Sequence, residues 1–277
     1  MGNTRELLLT KDGSHTVIVP SLDITYRSRH GALQESLHVF IDAGLKYKWS
    51  TDPGWSGDSE KLMHVFELGF GTGLNALLTA IEAMAVRRNI SYTTIEPEPL
   101  EPEMAGLLNY DDAAGFLQKM HEAEWGMPVA INPYFTFTKY KSTFADFDLN
   151  ITGTNIFKPG NVIEPGNVAE PDNVVESVTV VEPDNVLESD NVVETDNVNA
   201  TGPVFDLVYF DAFGPLTQPE LWSAESFTKV ASFMKTGAVL TTYCSKSVVR
   251  KTMVSAGLQV KKIQGPYGKR EIVRAIK

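Results

Sequence analysis

Cysteine is almost missing from this chain: Cys244 is the only one among 277 residues. An internal disulfide is thereby excluded, and His15, His30, His38, His64 and His121 show no metal-ligand spacing with it, so no metal site is expected. Long apolar runs are missing too. The N-terminal MGNTRELLLTKDGSHT holds three consecutive leucines before charge returns, and no segment approaches the roughly 18 apolar residues that would cross a bilayer. The expected location is the cytoplasm. Positive charge is short overall, with a net of -11, but the deficit is local. Residues 158–199 hold ten acidic residues against Lys158 alone, a net of -9, which leaves -2 for everything else. From Lys246 to Lys277 nine basic residues face Glu271 alone, a net of +8 that suits either a solvated surface or contact with phosphates.

What the chain does have is one organising stretch, His64 to Asn75, reading HVFELGFGTGLN. Its apolar first half suits a buried strand, and Gly69, Gly71 and Gly73 follow at every second position. A strand, a glycine-rich turn and a helix start predict a small-ligand site. Glycine accepts positive φ and lets the backbone pass close to a ligand, while the next helix aims free N–H groups at it. A dinucleotide would call for G-x-G-x-x-G; the sixth position from Gly69 is Leu74, which disfavours it.

Before this stretch, short alternating runs at Glu6 to Thr10, Thr16 to Val19 and Leu37 to Ile41 predict a small antiparallel β element over residues 1–59. Tyr26, Arg29, His30 and Glu35 lie between its strands and are placed to border a pocket. After the stretch, the spacing predicts a helix over 74–87 and a strand over 90–95 that ends at Glu96, where Pro97, Pro99 and Pro102 stop it. A helix over about 103–120 and an aromatic-polar strand over 134–140 follow. Residues 158–199 are a hexapeptide repeat of the type EPDNVV; a β-helix coil is one reading, and a mobile acidic loop is the expected one, because each unit carries turn formers or acids and no aromatics. Val204 to Phe210 is a strongly apolar strand ending at Asp211, followed by a helix over 218–235, a strand over 237–243, a helix over 247–256 and a strand pair, 259–264 and 271–276, joined by Gly265-Pro266-Tyr267-Gly268. Strands alternating with helices predict a doubly wound, mainly parallel α/β sheet.

In such sheets ligands bind beyond the carboxyl ends of the strands, where the glycine turn, Glu96 and Asp211 all fall. Glu96 lies 23 residues after Gly73, where a carboxylate can accept hydrogen bonds from both hydroxyls of a ribose. Together these resemble the class I S-adenosylmethionine-dependent methyltransferases, with their Rossmann-like sheet. The resemblance implies S-adenosyl-L-methionine as cofactor, with Glu67, Gly69, Gly71, Gly73 and Asn75 around its methionine part and Glu96 at the ribose.

FELGFGTGLN, TIEPEPL, VYFDAFGPLTQPELW and GPYGKREIVRA, with GALQESLHVFIDAGL upstream, resemble more specifically the family of tRNA 5-methylaminomethyl-2-thiouridine methyltransferases, which includes the N-terminal half of the bifunctional MnmC enzymes. The resemblance covers nearly the whole chain except the repeat. It implies a methyltransferase domain over 60–157 and 200–277 interrupted by the 158–199 insert, tRNA as partner, and Tyr267, Lys269 and Arg270 near the substrate entrance. Members that also oxidise carry a further flavin-dependent domain, so the chain is expected to methylate only, with a separate enzyme supplying the aminomethyl-modified tRNA. The chemistry is consistent. An alkylamine is mostly protonated at neutral pH, and a carboxylate can orient it and take its proton. Asp211 is the candidate, with Phe210, Phe213 and Pro215 expected to wall the site. The alternatives are a transferase acting on a small amine, or a non-catalytic scaffold.

Overall fold

A computed structural model describes residues 4–52, 55, 61–110, 112, 114–149 and 204–277. The hexapeptide repeat and the boundaries drawn around it lie outside the described residues. Strands β1 (Glu6–Leu9), β2 (His15–Val19) and β3 (Ile24–Thr25) form a three-stranded antiparallel sheet.

The main sheet contains β4 (Met63–Leu68), β5 (Ile90–Ile95), β6 (Val129–Asn132), β7 (Phe135–Tyr140), β8 (Phe205–Phe210), β9 (Met234–Thr242), β10 (Gln259–Gln264) and β11 (Glu271–Ile276), in the order β10-β11-β9-β8-β4-β5-β7-β6. The five strands from β9 to β7 are parallel, while β6, β10 and β11 form antiparallel edges. This is the doubly wound α/β fold expected from the alternation of elements. A parallel strand is covered on both faces, which is why FDLVYF in β8 is buried at all six positions. Alternate residues feed opposite faces: Val208 and Phe210 join one apolar layer with Phe66 and Phe227, whereas Leu207 and Tyr209 join the other with Val65 and Tyr92. From β4 the chain runs one way to β5 and β7; β8 and β9 lie on the other side. Strand order therefore reverses between β4 and β8, and the crevice opens there.

Three elements differ from the sequence expectation. Leu37 to Ile41 is no strand. It belongs to one helix over residues 32–51, made of α-helical ends, Ala32–Ser36 and Tyr47–Thr51, and a π-helical centre, Leu37–Lys46. A short apolar run does not by itself distinguish a strand from a buried helix segment, and here Val39, Phe40, Ile41 and Leu45 press on the sheet face carrying Tyr209. The helix expected over 103–120 is two short ones, Pro102–Ala105 and Phe116–Glu122. Gly115 at φ 69 breaks the run, and the Asp112 carboxylate accepts the N–H groups of Phe116 and Leu117 at 2.8 and 2.7 Å to start the second helix. The helix expected over 218–235 begins as a 3-10 turn, Pro219–Trp222; Ser223 then caps Ala224–Phe233, and β9 starts at Met234.

Candidate active site

The glycine turn leaves β4 and enters the helix Leu74–Val86 with Gly69, Gly71 and Gly73 at φ 95, 53 and 76. A side chain at Gly71 would lie 3.1 Å from the Tyr26 ring, and one at Gly69 3.0 Å from the Asp211 carbonyl, so other residues would be strained by φ and crowded as well. Four N–H groups of the turn itself are engaged within the protein. Gly69 and Phe70 donate to the Ile95 carbonyl at 3.1 and 3.2 Å, Gly73 to the Phe70 carbonyl at 2.8 Å, and Gly71 to Glu96 Oε2 at 2.9 Å. A turn whose N–H group is held by a carboxylate is poor at binding pyrophosphate and well suited to a cationic ligand.

Acidic groups dominate the inner end. Asn75 Nδ2 donates to Glu67 Oε1 at 2.9 Å and to Asp211 Oδ2 at 3.0 Å, joining the ends of β4 and β8. Arg27, 4% exposed, ion-pairs with Asp211 through the same Oδ2. Burial pushes the Glu67 carboxyl up to about 8 against the pull of Arg27, with the Asp211 charge adding to the rise. Asp211 is pushed up to about 7 by burial, opposed by Arg27 and reinforced by Glu35. Burial also raises Glu96, while the N–H groups of Gly71 and Glu98 pull it down.

Two cavities meet at Asp211, Ala212 and Phe213. The first, of about 350 Å³, has the glycine turn and Glu96 on one side and an apolar lining that includes Ile95, Pro97, Phe144 and Leu221. The second, of about 230 Å³, is polar and is lined by Ser28, Glu35, Tyr243 and Lys269. Tyr26 and Arg27 border both, with Tyr26 edge-on to Phe213 at 5.1 Å between ring centroids. Lys269 ion-pairs with Glu35 and lies 4.2 Å from the Tyr243 ring centroid.

Of the residues singled out in the sequence, Gly69, Gly71, Glu96, Asp211 and Phe213 line the first cavity, with Glu67 and Asn75 hydrogen-bonded behind Asp211. Gly73 lies outside it, packed against Phe70 and Leu117. Lys269 lines the second cavity with Tyr26 and Glu35; Tyr267 and Arg270 are exposed on the adjoining hairpin turn and line neither. Phe210 is no wall of the site, because its ring points into the core against Trp222 and Phe227. Asp211 does not cap its own turn: Gln218 Oε1 accepts the Phe213 N–H at 2.9 Å, and Trp222 Nε1 donates to the Phe213 carbonyl at 2.7 Å. Those two contacts explain the spacing of DAFGPLTQPELW. Sequence reasoning passed over Arg27, Gln218 and residues 143–145, and only the proximity of Tyr26 hinted at the first.

The site fits S-adenosylmethionine. Its apolar lining suits an adenine, Glu96 a ribose diol, and the acidic inner end a sulfonium and an ammonium. No group of three or more His, Cys, Asp or Glu among the described residues is arranged to hold a metal ion. A doubly wound sheet with this crevice defines a Rossmann-like fold, and residues 187–277 match a family model described as S-adenosyl-L-methionine-dependent methyltransferase. That match covers the last third of the chain and includes Asp211 and the strands that follow it.

The chain's relatives narrow the class. It is similar to the tRNA 5-methylaminomethyl-2-thiouridine biosynthesis bifunctional protein MnmC of Cupriavidus metallidurans, 26% identical over 98% of this chain and 33% of the relative. The corresponding Campylobacter fetus protein is 37% identical over 25% of this chain and 11% of its own length. The crystal structure of MNMC2 from Aquifex aeolicus shares the fold, with a TM-score of 0.61 and 19% identity over 99% of this chain and 71% of that one. The chain spans about a third of the length of the MnmC proteins it matches end to end.

Proposed function

We propose that the chain methylates the exocyclic amine of 5-aminomethyl-2-thiouridine at the wobble position of tRNA. The observation that carries this reading is Asp211, a carboxylate on the wall common to an apolar, acid-tipped cavity and a polar one. The names of the relatives point to the tRNA pathway and, with it, to the cytoplasm. Bound S-adenosylmethionine supplies a methyl group on a cationic sulfur. Glu96 would hold its ribose, and Gly69 and Gly71 would border its methionine part, with Glu67 and Asn75 supporting Asp211 from behind.

The substrate ammonium enters beside Asp211, which orients it and takes one proton, leaving a neutral amine and a carboxylic acid. The nitrogen lone pair, freed by Asp211, would then accept the methyl group that the cofactor supplies, the electron pair of the broken bond staying with its sulfur. Positive charge moves from sulfur to nitrogen, so the protein mainly positions two reactants and needs no oxyanion hole. Phe213, fixed by Gln218 and Trp222, gives this wall its shape. Tyr267, Lys269 and Arg270 would meet a wobble nucleotide and its phosphates through stacking and charge. The aminomethyl group has to be installed beforehand by a separate enzyme activity.

The test is to incubate the protein with S-adenosylmethionine and tRNA carrying the aminomethyl nucleoside, and to analyse the nucleosides by mass spectrometry. Gain of one methyl on that nucleoside is expected. Methylation of small amines but not tRNA, with no gel shift of tRNA at either low or moderate salt, would sink the assignment.

A further inference from the structure

The polar cluster around Asp211 contains a residue to which neither the family match nor the reaction itself gives a part. Arg27 comes from the segment just after the small N-terminal sheet and not from the Rossmann sheet. Its N–H donates to Thr16 Oγ1 at 2.9 Å and its guanidinium lies 5.7 Å from the Phe40 ring centroid, so its position is set by β2 and by the helix over residues 32–51. The guanidinium reaches Asp211 through Oδ2, the same oxygen that accepts the Asn75 amide. An ion pair from Arg27 and a hydrogen bond from Asn75 thus converge on one oxygen of the carboxylate.

We infer that Arg27 is a positioning residue: with Asn75 it clamps Asp211 by Oδ2, so that Oδ1 is the oxygen presented to the substrate amine. This rests on the amine-methylation reading for its purpose, though the clamp itself does not. In the reaction, the ammonium N–H passes its proton to Oδ1 while Oδ2 stays engaged. The guanidinium has a second effect, because a buried carboxylate without a cation nearby takes up a proton and can no longer accept one. The groups facing Asp211 are Arg27 from the segment after β3, Glu35 from the helix over residues 32–51, Glu67 at the end of β4, Asn75 from Leu74–Val86, Tyr243 after β9 and Lys269 from the β10–β11 hairpin. Of these, Glu35 raises the affinity of Asp211 for a proton, whereas Arg27, Asn75 and Lys269 lower it, and Lys269 is already ion-paired with Glu35. Arg27 is the cation in direct contact.

The test uses the full chain with Arg27→Met and Arg27→Lys. Selective ¹³C labelling of aspartate, with Asp211→Asn to assign the signal, follows the Asp211 carboxyl in the free protein. Titration is expected to move upward in Arg27→Met by about one pH unit or more, and less in Arg27→Lys. The acid limb of kcat/KM should move the same way, with turnover near neutral pH down on the order of 10²-fold, partly restored by added methylguanidinium. Binding of S-adenosylhomocysteine should change little. A carboxyl titration and acid limb that stay in place while activity is lost would overturn the clamp and leave Arg27 a structural residue, and so would full activity in Arg27→Met. If Arg27→Met does not fold, Arg27→Lys with the same two readouts decides. Should the unsubstituted protein fail to methylate tRNA, the amine reading falls, and the carboxyl titration still tests the clamp.

Discussion

The two cavities that meet at Asp211 are built in different ways. The first is assembled from the ends of neighbouring parallel strands and the turns that follow them: Gly69 and Gly71 after β4, Glu96 after β5, Asp211 after β8. The second draws on Ser28 and Glu35 near the N-terminus, Gly214 after β8, Tyr243 after β9 and Lys269 in the last hairpin. A strand-end crevice comes with the fold, whereas a pocket gathered from remote segments is free to vary while the fold stays. The difference matches the division of labour proposed for them, cofactor in the first and substrate in the second, with Asp211 and the Tyr26–Phe213 pair between.

That division can be broken by substitution. Asp211→Asn should cost the most, about 10²- to 10⁴-fold in turnover, while calorimetric binding of S-adenosylhomocysteine stays nearly unchanged. Near-normal turnover would remove Asp211 from the chemistry. Next comes Glu96→Ala. Losing the carboxylate should weaken S-adenosylhomocysteine by about ten- to a hundredfold, the worth of a hydrogen bond to a charged group, with little change in KM for tRNA. Lys269→Ala should do the reverse and more mildly, raising KM for tRNA several-fold and leaving the cofactor affinity alone. If either substitution moves both constants together, the cavities are not separate sites. The smallest effect is expected from deleting residues 158–199. The chain re-enters the described structure at Val204, next to the amino end of β8, while the site lies at the carboxyl ends. Methylation should stay within about twofold, as surface insertions are generally tolerated; a folded but inactive deletion would tie the repeat to the site.

The acidity of the site also predicts a pH response. Asp211 is pushed up to about 7 by burial, so the carboxylate form, and turnover with it, should be lost as pH falls through about 7 and be full above it. A rate profile with an acid limb near 4, the range of an ordinary aspartate, would show that the group is not buried in the working enzyme.

Much of the first cavity was legible in the sequence, because its signals are local. HVFELGFGTGLN states strand, turn and helix in twelve consecutive residues, and a carboxylate at the end of an apolar strand announces itself at Glu96 and Asp211. Where local signals were equivocal, reading failed. Leu37 to Ile41 alternates like a strand and is a helix, because what decides is the sheet face waiting to be covered, and that is formed by residues far away in the chain. The use made of the turn's own N–H groups was equally out of view: Ile95 and Glu96, at the end of the next strand, accept those of Gly69, Phe70 and Gly71.

By itself the sequence determined the alternation of elements, the position of the glycine turn and the three strand-end features of the candidate site, since each depends on residues within one turn or strand of each other. Only the tertiary structure decided that Arg27 would meet Asp211 and that Glu35 and Lys269 would pair across the second cavity. Such contacts join segments up to 234 residues apart. Nothing in their local sequence records them, because a buried charge reveals its partner only when packing has taken the water away.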